Sequence, residues 1–200
     1  FVGTLKGVIW GICPKAQIAD ISHEITPRNI LEGALVLWRA YSFFPAGTTH
    51  VAVVDPGVGT ERRPIAICVN GHVFIGPDNG LFTPILQDAE KFNWKVESFQ
   101  LTNEKYFLPD ISHTFHGRDI FAPLAAHLAN GIPLSELGPA ISDPVHIDLP
   151  KPEITPTGWQ AHIISVDRFG NLATDLPADW IKDREKVSLR VGRFEVCGIS

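Results

Sequence analysis

The apolar run His50-Val51-Ala52-Val53-Val54 ends abruptly on Asp55-Pro56-Gly57-Val58-Gly59, and this boundary constrains the fold more than any other stretch. A short, continuous apolar run bounded by turn residues reads as a strand buried on both faces. Such strands belong to α/β sheets, where ligands bind beyond the carboxyl ends of the strands. Asp55 stands at that end, and the glycines after it let the backbone approach a ligand closely. The same corner also reads as an aspartate capping a turn. Gly57-Val58-Gly59 makes a poor dinucleotide fingerprint, because Arg62 stands where a third glycine belongs. No Gly-Lys-Ser/Thr follows to complete a phosphate loop.

A second stretch, Thr114-Phe115-His116-Gly117-Arg118-Asp119, places a base, a guanidinium and an acid around a glycine at a loop-to-helix junction. A helix starting at Arg118 or Asp119 offers free N–H groups and a positive dipole end. His113, His116 and Asp119 could supply one face of a metal site. Defined ligand spacing such as HExxH is missing, so the reading assigns no metal. Asp167-Arg168-Phe169-Gly170-Asn171 has two readings. It is a β-turn built by Gly170 and Asn171, or a ligand contact in which Asp167 and Asn171 present polar atoms and Phe169 an aromatic face.

Around these stretches the chain reads as α/β first and all-β afterwards. Residues 6–13 are apolar enough for a helix or a strand, and residues 17–22 alternate like a strand. Thr26-Pro27 signals a helix start, with Thr26 as N-cap, over residues 28–41. Asn70-Gly71 between residues 65–69 and 73–75 predicts a hairpin. Pro77-Asp78-Asn79-Gly80 reads as a tight turn before a helix opening at residues 81–86. Residues 97–101 read as a strand, and 118–128 as a helix closed by Asn130-Gly131. Residues 139–156 are proline-rich and read as a linker. Residues 159–166 and 187–196 are strand-like. The expected division is an α/β domain over 1–150, with a central mixed or parallel sheet, and a small all-β, barrel-like domain over 151–200.

Composition narrows the function class. The 200 residues carry a net charge of −5 and no Lys/Arg run, which argues against nucleic acid as a partner. No apolar run reaches the ~20 residues of a membrane span. Cys13, Cys68 and Cys197 are odd in number and widely spaced, which fits a reducing cytoplasm. Methionine is absent and Phe1 opens inside an apolar segment, so the N-terminus is expected to be cut short; Ser200 comes just after a strand-like run, so the same is expected of the C-terminus.

Read together, these blocks resemble the S-adenosylmethionine (SAM) hydroxide adenosyltransferases, or SAM hydrolases, relatives of the fluorinase and chlorinase. The resemblance rests on Lys6-Gly7-Val8-Ile9, Asp20-Ile21-Ser22-His23-Glu24-Ile25, Phe44-Pro45-Ala46-Gly47-Thr48, residues 55–64, Gly76-Pro77-Asp78-Asn79-Gly80-Leu81, residues 115–119 and residues 167–171. These run in order over almost the whole chain. The resemblance implies an N-terminal α/β domain, a C-terminal β-barrel-like domain and a homotrimer, with substrate held between the N-domain of one subunit and the C-domain of the next. It implies hydrolysis of SAM to adenosine and L-methionine, with SAM as substrate and no cofactor.

The family's catalytic Asp, Arg and His map onto Asp55, Arg62 and His116. Phe115 would line the pocket, and Gly117 and Phe169 would also belong to the substrate-binding set. Asp167 would hold the methionine amino group and Asn171 the adenine edge, while Asp78 and Asn79 stay structural. The family's ribose-gripping aspartate would lie upstream of Phe1, and its C-terminal serine and adenine-stacking aromatic after Ser200. The halogenases have serine at the position of Gly117, lack the acid and base at Asp55 and His116, have tryptophan in place of Arg28, and carry an extra loop. These differences favour water over halide as nucleophile. The alternatives are a halide-using relative and a SAM- or adenosine-binding protein without turnover. A metallohydrolase, the remaining alternative, would lose activity on chelation.

Overall fold

The computed structural model describes residues 1–167, 169–181 and 187–197. The chain divides into two units, Phe1–Asp148 and Leu149–Ser200.

The first unit is a five-stranded mixed sheet with helices packed against it. Its strands are β1 (Thr49–Val51), β2 (Pro64–Val69), β3 (His72–Pro77), β4 (Val96–Gln100) and β5 (Ala140–Ile141). Their spatial order is β1-β3-β2-β4-β5; β1 runs parallel to β3, and the other neighbours are antiparallel. The helices are α1 (Val2–Ile12), α2 (Ile30–Tyr41), α3 (Thr83–Phe92) and α4 (Ala122–Ala129).

Strand alternation divides the core. Ile65, Ile67 and Val69 of β2 join Ala34 and Leu37 of α2 and Ile85 and Leu86 of α3. Ala66, on the opposite face of the same strand, joins Ile75, Phe121 and Leu124 beside α4. Both faces of the sheet are therefore covered, as near-continuous apolar strands require.

The β2–β3 hairpin forms where Asn70-Gly71 predicts it. Both residues take positive φ, 48° and 77°, the conformation that a two-residue primed turn demands. Its six rungs run from Val69↔His72 to Pro64↔Pro77.

Three sequence expectations need correction. The helix predicted over 28–41 starts at Ile30, and its cap is Asn29, whose Oδ1 accepts from the Glu32 N–H at 3.0 Å. Arg28 adopts a left-handed φ of 69°, which takes Thr26 and Pro27 off the helical path. Residues 17–22 form no strand, since their backbone finds no ladder partner. Asp20 is bound instead by Lys6 at 2.6 Å and His23 at 3.0 Å. The predicted linker begins as β5, paired through Ser98↔Ile141, and Asp143 is bound by Arg63.

The second unit is β-rich. Its described strands form three two-stranded antiparallel sheets. β6 (Glu153–Thr155) pairs with β7 (Gly158–Gln160), β8 (Ile163–Val166) with β9 (Leu172–Thr174), and β10 (Ser188–Val191) with β11 (Phe194–Cys197). Among the described residues of both units, no helix is long and apolar enough to cross a membrane.

Candidate active site

Asp55 follows the sheet edge less directly than the sequence suggests. β1 ends at Val51, four residues earlier, and only the Ala52 N–H continues its bonding, to the Ile75 carbonyl at 3.0 Å. Residues 52–62 then form a bent loop that returns to β2. Gly59 turns within it at φ 78°, and a Cβ there would lie 2.5 Å from the His113 carbonyl oxygen. That contact brings the loop against the segment leading to His116.

The loop carries a nearly buried ion pair. Side chains of Arg62 and Asp55 are 9% and 4% exposed. Arg62 Nε donates to Oδ1 and Oδ2 of Asp55 at 3.1 and 2.9 Å, and Nη2 donates to Oδ2 at 2.5 Å. The same Nη2 lies 2.6 Å from Nδ1 of His116. The guanidinium also stands 5.5 Å over the Phe121 ring. A fork of this kind fixes a carboxylate in orientation as well as in charge.

His116 precedes a π-helical turn, Gly117–Phe121, that leads into α4. Single π-turns inside helices concentrate at functional sites. Asp119 is fully buried in this turn. Burial pushes its carboxyl up, but the Arg118 guanidinium and the Ser112 N–H outweigh that and hold it low. Arg118 Nε donates to its Oδ1 at 2.5 Å and the Ser112 N–H to its Oδ2 at 2.8 Å. Asp119 therefore braces the segment before His113 and His116. Among the described residues, no group of three His, Cys, Asp or Glu is arranged to hold a metal ion.

Burial lowers the His116 pKa below 6.5, and the Arg62 charge lowers it further. A guanidinium only donates, so Nδ1 of His116 accepts and its proton resides on Nε2. Phe115 is half-buried, with the Phe1 ring 4.7 Å away and the Arg118 guanidinium 5.2 Å over its face. Gly117 has room beside it: a Cβ there would meet only Leu5 and Val53 side chains, at 3.8 Å.

The structure thus brings Arg62 into direct contact with both Asp55 and His116, with Phe115 and Gly117 flanking the histidine in sequence. Asp167, Phe169 and Asn171 belong to the second unit, in the β8–β9 turn; Arg168 lies outside the described residues. Asp167 Oδ1 accepts from the backbone N–H groups of Phe169 and Asn171 at 2.8 and 2.9 Å, and its Oδ2 from Asn171 Nδ2 at 2.8 Å. The turn reading of this segment describes its local geometry. Sequence reasoning did not anticipate Phe121 beneath Arg62, the Asp119 brace, or the Gly59 contact with His113. Only the helical spacing of Phe121 hinted at any of them.

A two-unit architecture, α/β then β-rich, in which an Asp–Arg pair on a loop beyond a sheet edge meets a histidine at a helix start, defines the class. The chain belongs to the SAM hydroxide adenosyltransferase family, whose N-terminal domain, as described by the family's sequence model, matches residues 1–138. It is 40% identical over 195 residues to a protein of Salinispora tropica named (R)-S-adenosyl-L-methionine hydrolase, covering 96% of this chain and 73% of that one. A fluorinase of an Actinoplanes species is more distant, at 30% identity over 88% of this chain and 66% of its own. A crystal structure of an uncharacterized conserved protein from Thermotoga maritima superposes with a TM-score of 0.89 at 38% identity, over 98% of this chain and 75% of that one.

Proposed function

We propose that this protein hydrolyses S-adenosyl-L-methionine to adenosine and L-methionine. The observation that carries the reading is the Arg62 guanidinium donating at once to the Asp55 carboxylate and to Nδ1 of His116, in a chain whose relatives at 40% identity are named for this reaction.

The sulfonium is already a good leaving group, so the enzyme has no need to protonate it. Water oxygen bonds to the ribose 5′ carbon as the carbon–sulfur bond breaks, and that electron pair neutralises sulfur in methionine. One proton leaves the water. What the protein supplies is a positioned, activated water in line with the breaking bond. Neutral His116 presents Nε2–H as a donor to the water or hydroxide oxygen. Asp55 Oδ2 accepts two hydrogen bonds from Arg62 while Oδ1 accepts one. Oδ1 therefore keeps acceptor capacity for the water's proton. Arg62 fixes both partners and favours hydroxide character electrostatically.

In the same reading, Phe115 and Gly117 line the nucleoside pocket, Asp167 takes the methionine amino group, Asn171 the adenine edge, and Phe169 adds an aromatic face. The β-rich unit closes as a barrel, the division falls near residue 150, and a cytoplasmic homotrimer places the site at the subunit interface. This part is supported by the family resemblance; light scattering of the full-length protein tests the assembly.

The functional test follows SAM, adenosine and methionine by chromatography, with full-length protein beside His116→Ala, with and without chloride. Equal adenosine and methionine, independent of chloride and lost by ~10²–10⁴-fold in the variant, is the expected result. A folded protein that binds SAM and releases no adenosine would overturn it. A chloride-dependent product would assign the halide chemistry instead.

A further inference from the structure

Asp78 and Asn79 lie between the two arms of the loop that carries the catalytic ion pair. Asn79 Nδ2 donates to the Val54 carbonyl at 2.9 Å, one residue before Asp55. Its Oδ1 accepts from the Leu81 N–H at 3.2 Å. Asp78 is buried, with its side chain 1% exposed, and grips the other arm. Its Oδ2 accepts from Nε of Arg63 at 2.9 Å and lies 2.6 Å from Nη2 of the same residue, which directly follows Arg62. The backbone repeats the contact, since the Asp78 N–H donates to the Arg63 carbonyl at 2.8 Å. Oδ1 of Asp78 accepts from the Val145 N–H at 2.7 Å, and Arg63 reaches Asp143 at 3.0 Å.

The Asn79 contact has a structural cause. β1 leaves the ladder after the Ala52 bond to Ile75, where Gly76 admits a carbonyl so close that a Cβ would lie 2.3 Å from it. The Asn79 amide then takes the Val54 carbonyl where a next rung would have stood. A turn that only reversed the chain would need neither this reach nor the two-nitrogen grip of Arg63 on the buried Asp78 carboxylate.

We propose that Asp78 and Asn79 are positioning residues that close the two arms of the 54–63 loop, so that Arg62 meets both Asp55 and His116. The proposal deepens the hydrolase reading and rests on it for its kinetic test. The tolerance is narrow, because a hydrogen bond of 2.6 Å is lost within about 1 Å of displacement and catalysis is correspondingly sensitive to misplacement.

Asn79→Asp removes the donor to Val54 and sets a carboxylate against that carbonyl, while keeping the acceptor for Leu81. In full-length enzyme, its kcat should fall about 10- to 100-fold with KM for SAM within about threefold. Imidazole ¹⁵N spectra supply a readout independent of turnover. Wild type should show His116 as the Nε2–H tautomer, and the variant a mixture, because Arg62 no longer holds Nδ1. If Asn79→Asp does not fold, Arg63→Lys, which keeps the charge but loses the fork on Asp78, is read in the same two ways. A folded variant with wild-type kcat and an unchanged His116 tautomer overturns the proposal. If wild type itself releases no adenosine, the hydrolase reading fails, and the tautomer measurement still decides the positioning role.

Discussion

Nη2 of Arg62 lies 2.6 Å from Nδ1 of His116 while also donating to Asp55. Burial favours the neutral histidine, and the Arg62 charge adds to the same effect. Its protonated form would set an N–H against the guanidinium. With its pKa below 6.5, His116 is neutral at pH 7 and charges only as the medium becomes more acidic. The acid limb of kcat should therefore lie below pH 6.5, and Arg62→Gln should move it upward. A profile measured from about pH 5 to 8 checks both.

Removing Arg62 alone also exposes the cost of leaving Asp55 buried. Arg62→Met should lower stability by about 3–5 kcal/mol, as breaking one side of a buried pair does. Asp55→Asn paired with Arg62→Met should recover part of this. Urea unfolding of the three proteins reads the difference, and equal losses in single and double variants would contradict it.

The opposite end of β1 makes a different pH prediction. His50 and His72 are buried, with Nε2 of one 3.2 Å from Nδ1 of the other, among Tyr41, Phe44 and Phe74. Burial, then the neighbouring His72, pushes His50 down to about 4; burial lowers His72 as well. The unfolded chain binds protons that the folded chain refuses, so stability is full above pH 6.5 and lost as pH falls toward 4. His50 alone should cost about 2 kcal/mol by pH 5. His50→Phe should flatten that dependence in denaturant titrations; an unchanged slope would refute the assignment.

Two glycines near the site should respond oppositely to alanine. Gly59→Ala forces a Cβ against the His113 carbonyl at positive φ, separating the loop from the His116 segment, and should cut kcat at least ~10-fold. Gly117→Ala meets only side-chain carbons at contact distance and should fold with stability within about 0.5–1 kcal/mol of wild type. Thermal melts and kcat of the two variants separate these outcomes.

At the start of α2, Asn29→Ala should cost about 1 kcal/mol by removing the Oδ1 contact with the Glu32 N–H. Thr26→Ala, at the residue that sequence favours as the cap, should cost less, because it is the Thr26 backbone that is engaged, its N–H with Glu32 at 3.0 Å and its carbonyl with the Asn29 N–H at 3.0 Å. Chemical denaturation of both reads the ranking.

Much of the fold was legible because its signals are local. Asn70-Gly71 needs only positive φ to specify a hairpin, and Asp78-Asn79-Gly80 only a turn chemistry. The alternation in residues 17–22 misled because period two describes where side chains point, not whether the backbone has a partner. Thr26 failed as a cap because the left-handed Arg28, a backbone choice no propensity favours, delays the helix to Ile30. The acid, guanidinium and base of the candidate site were readable as residue types beside bends. Their mutual contact was not, since it depends on Gly59 meeting His113 and on the reach of Asn79, both long-range facts.

The two-residue turn at Asn70-Gly71 acts as the phase reference for everything at the other end of its ladder. Pro64↔Pro77 is the sixth rung from it, roughly 20 Å of extended chain away. A one-residue slip there would exchange the two faces of the hairpin and carry Arg63 away from Asp78. Extra residues looped out beyond Val69 and His72 would leave that phase intact. The tip of this hairpin can therefore grow in length without cost to the end that carries the candidate site, provided that what is added leaves the rungs in step.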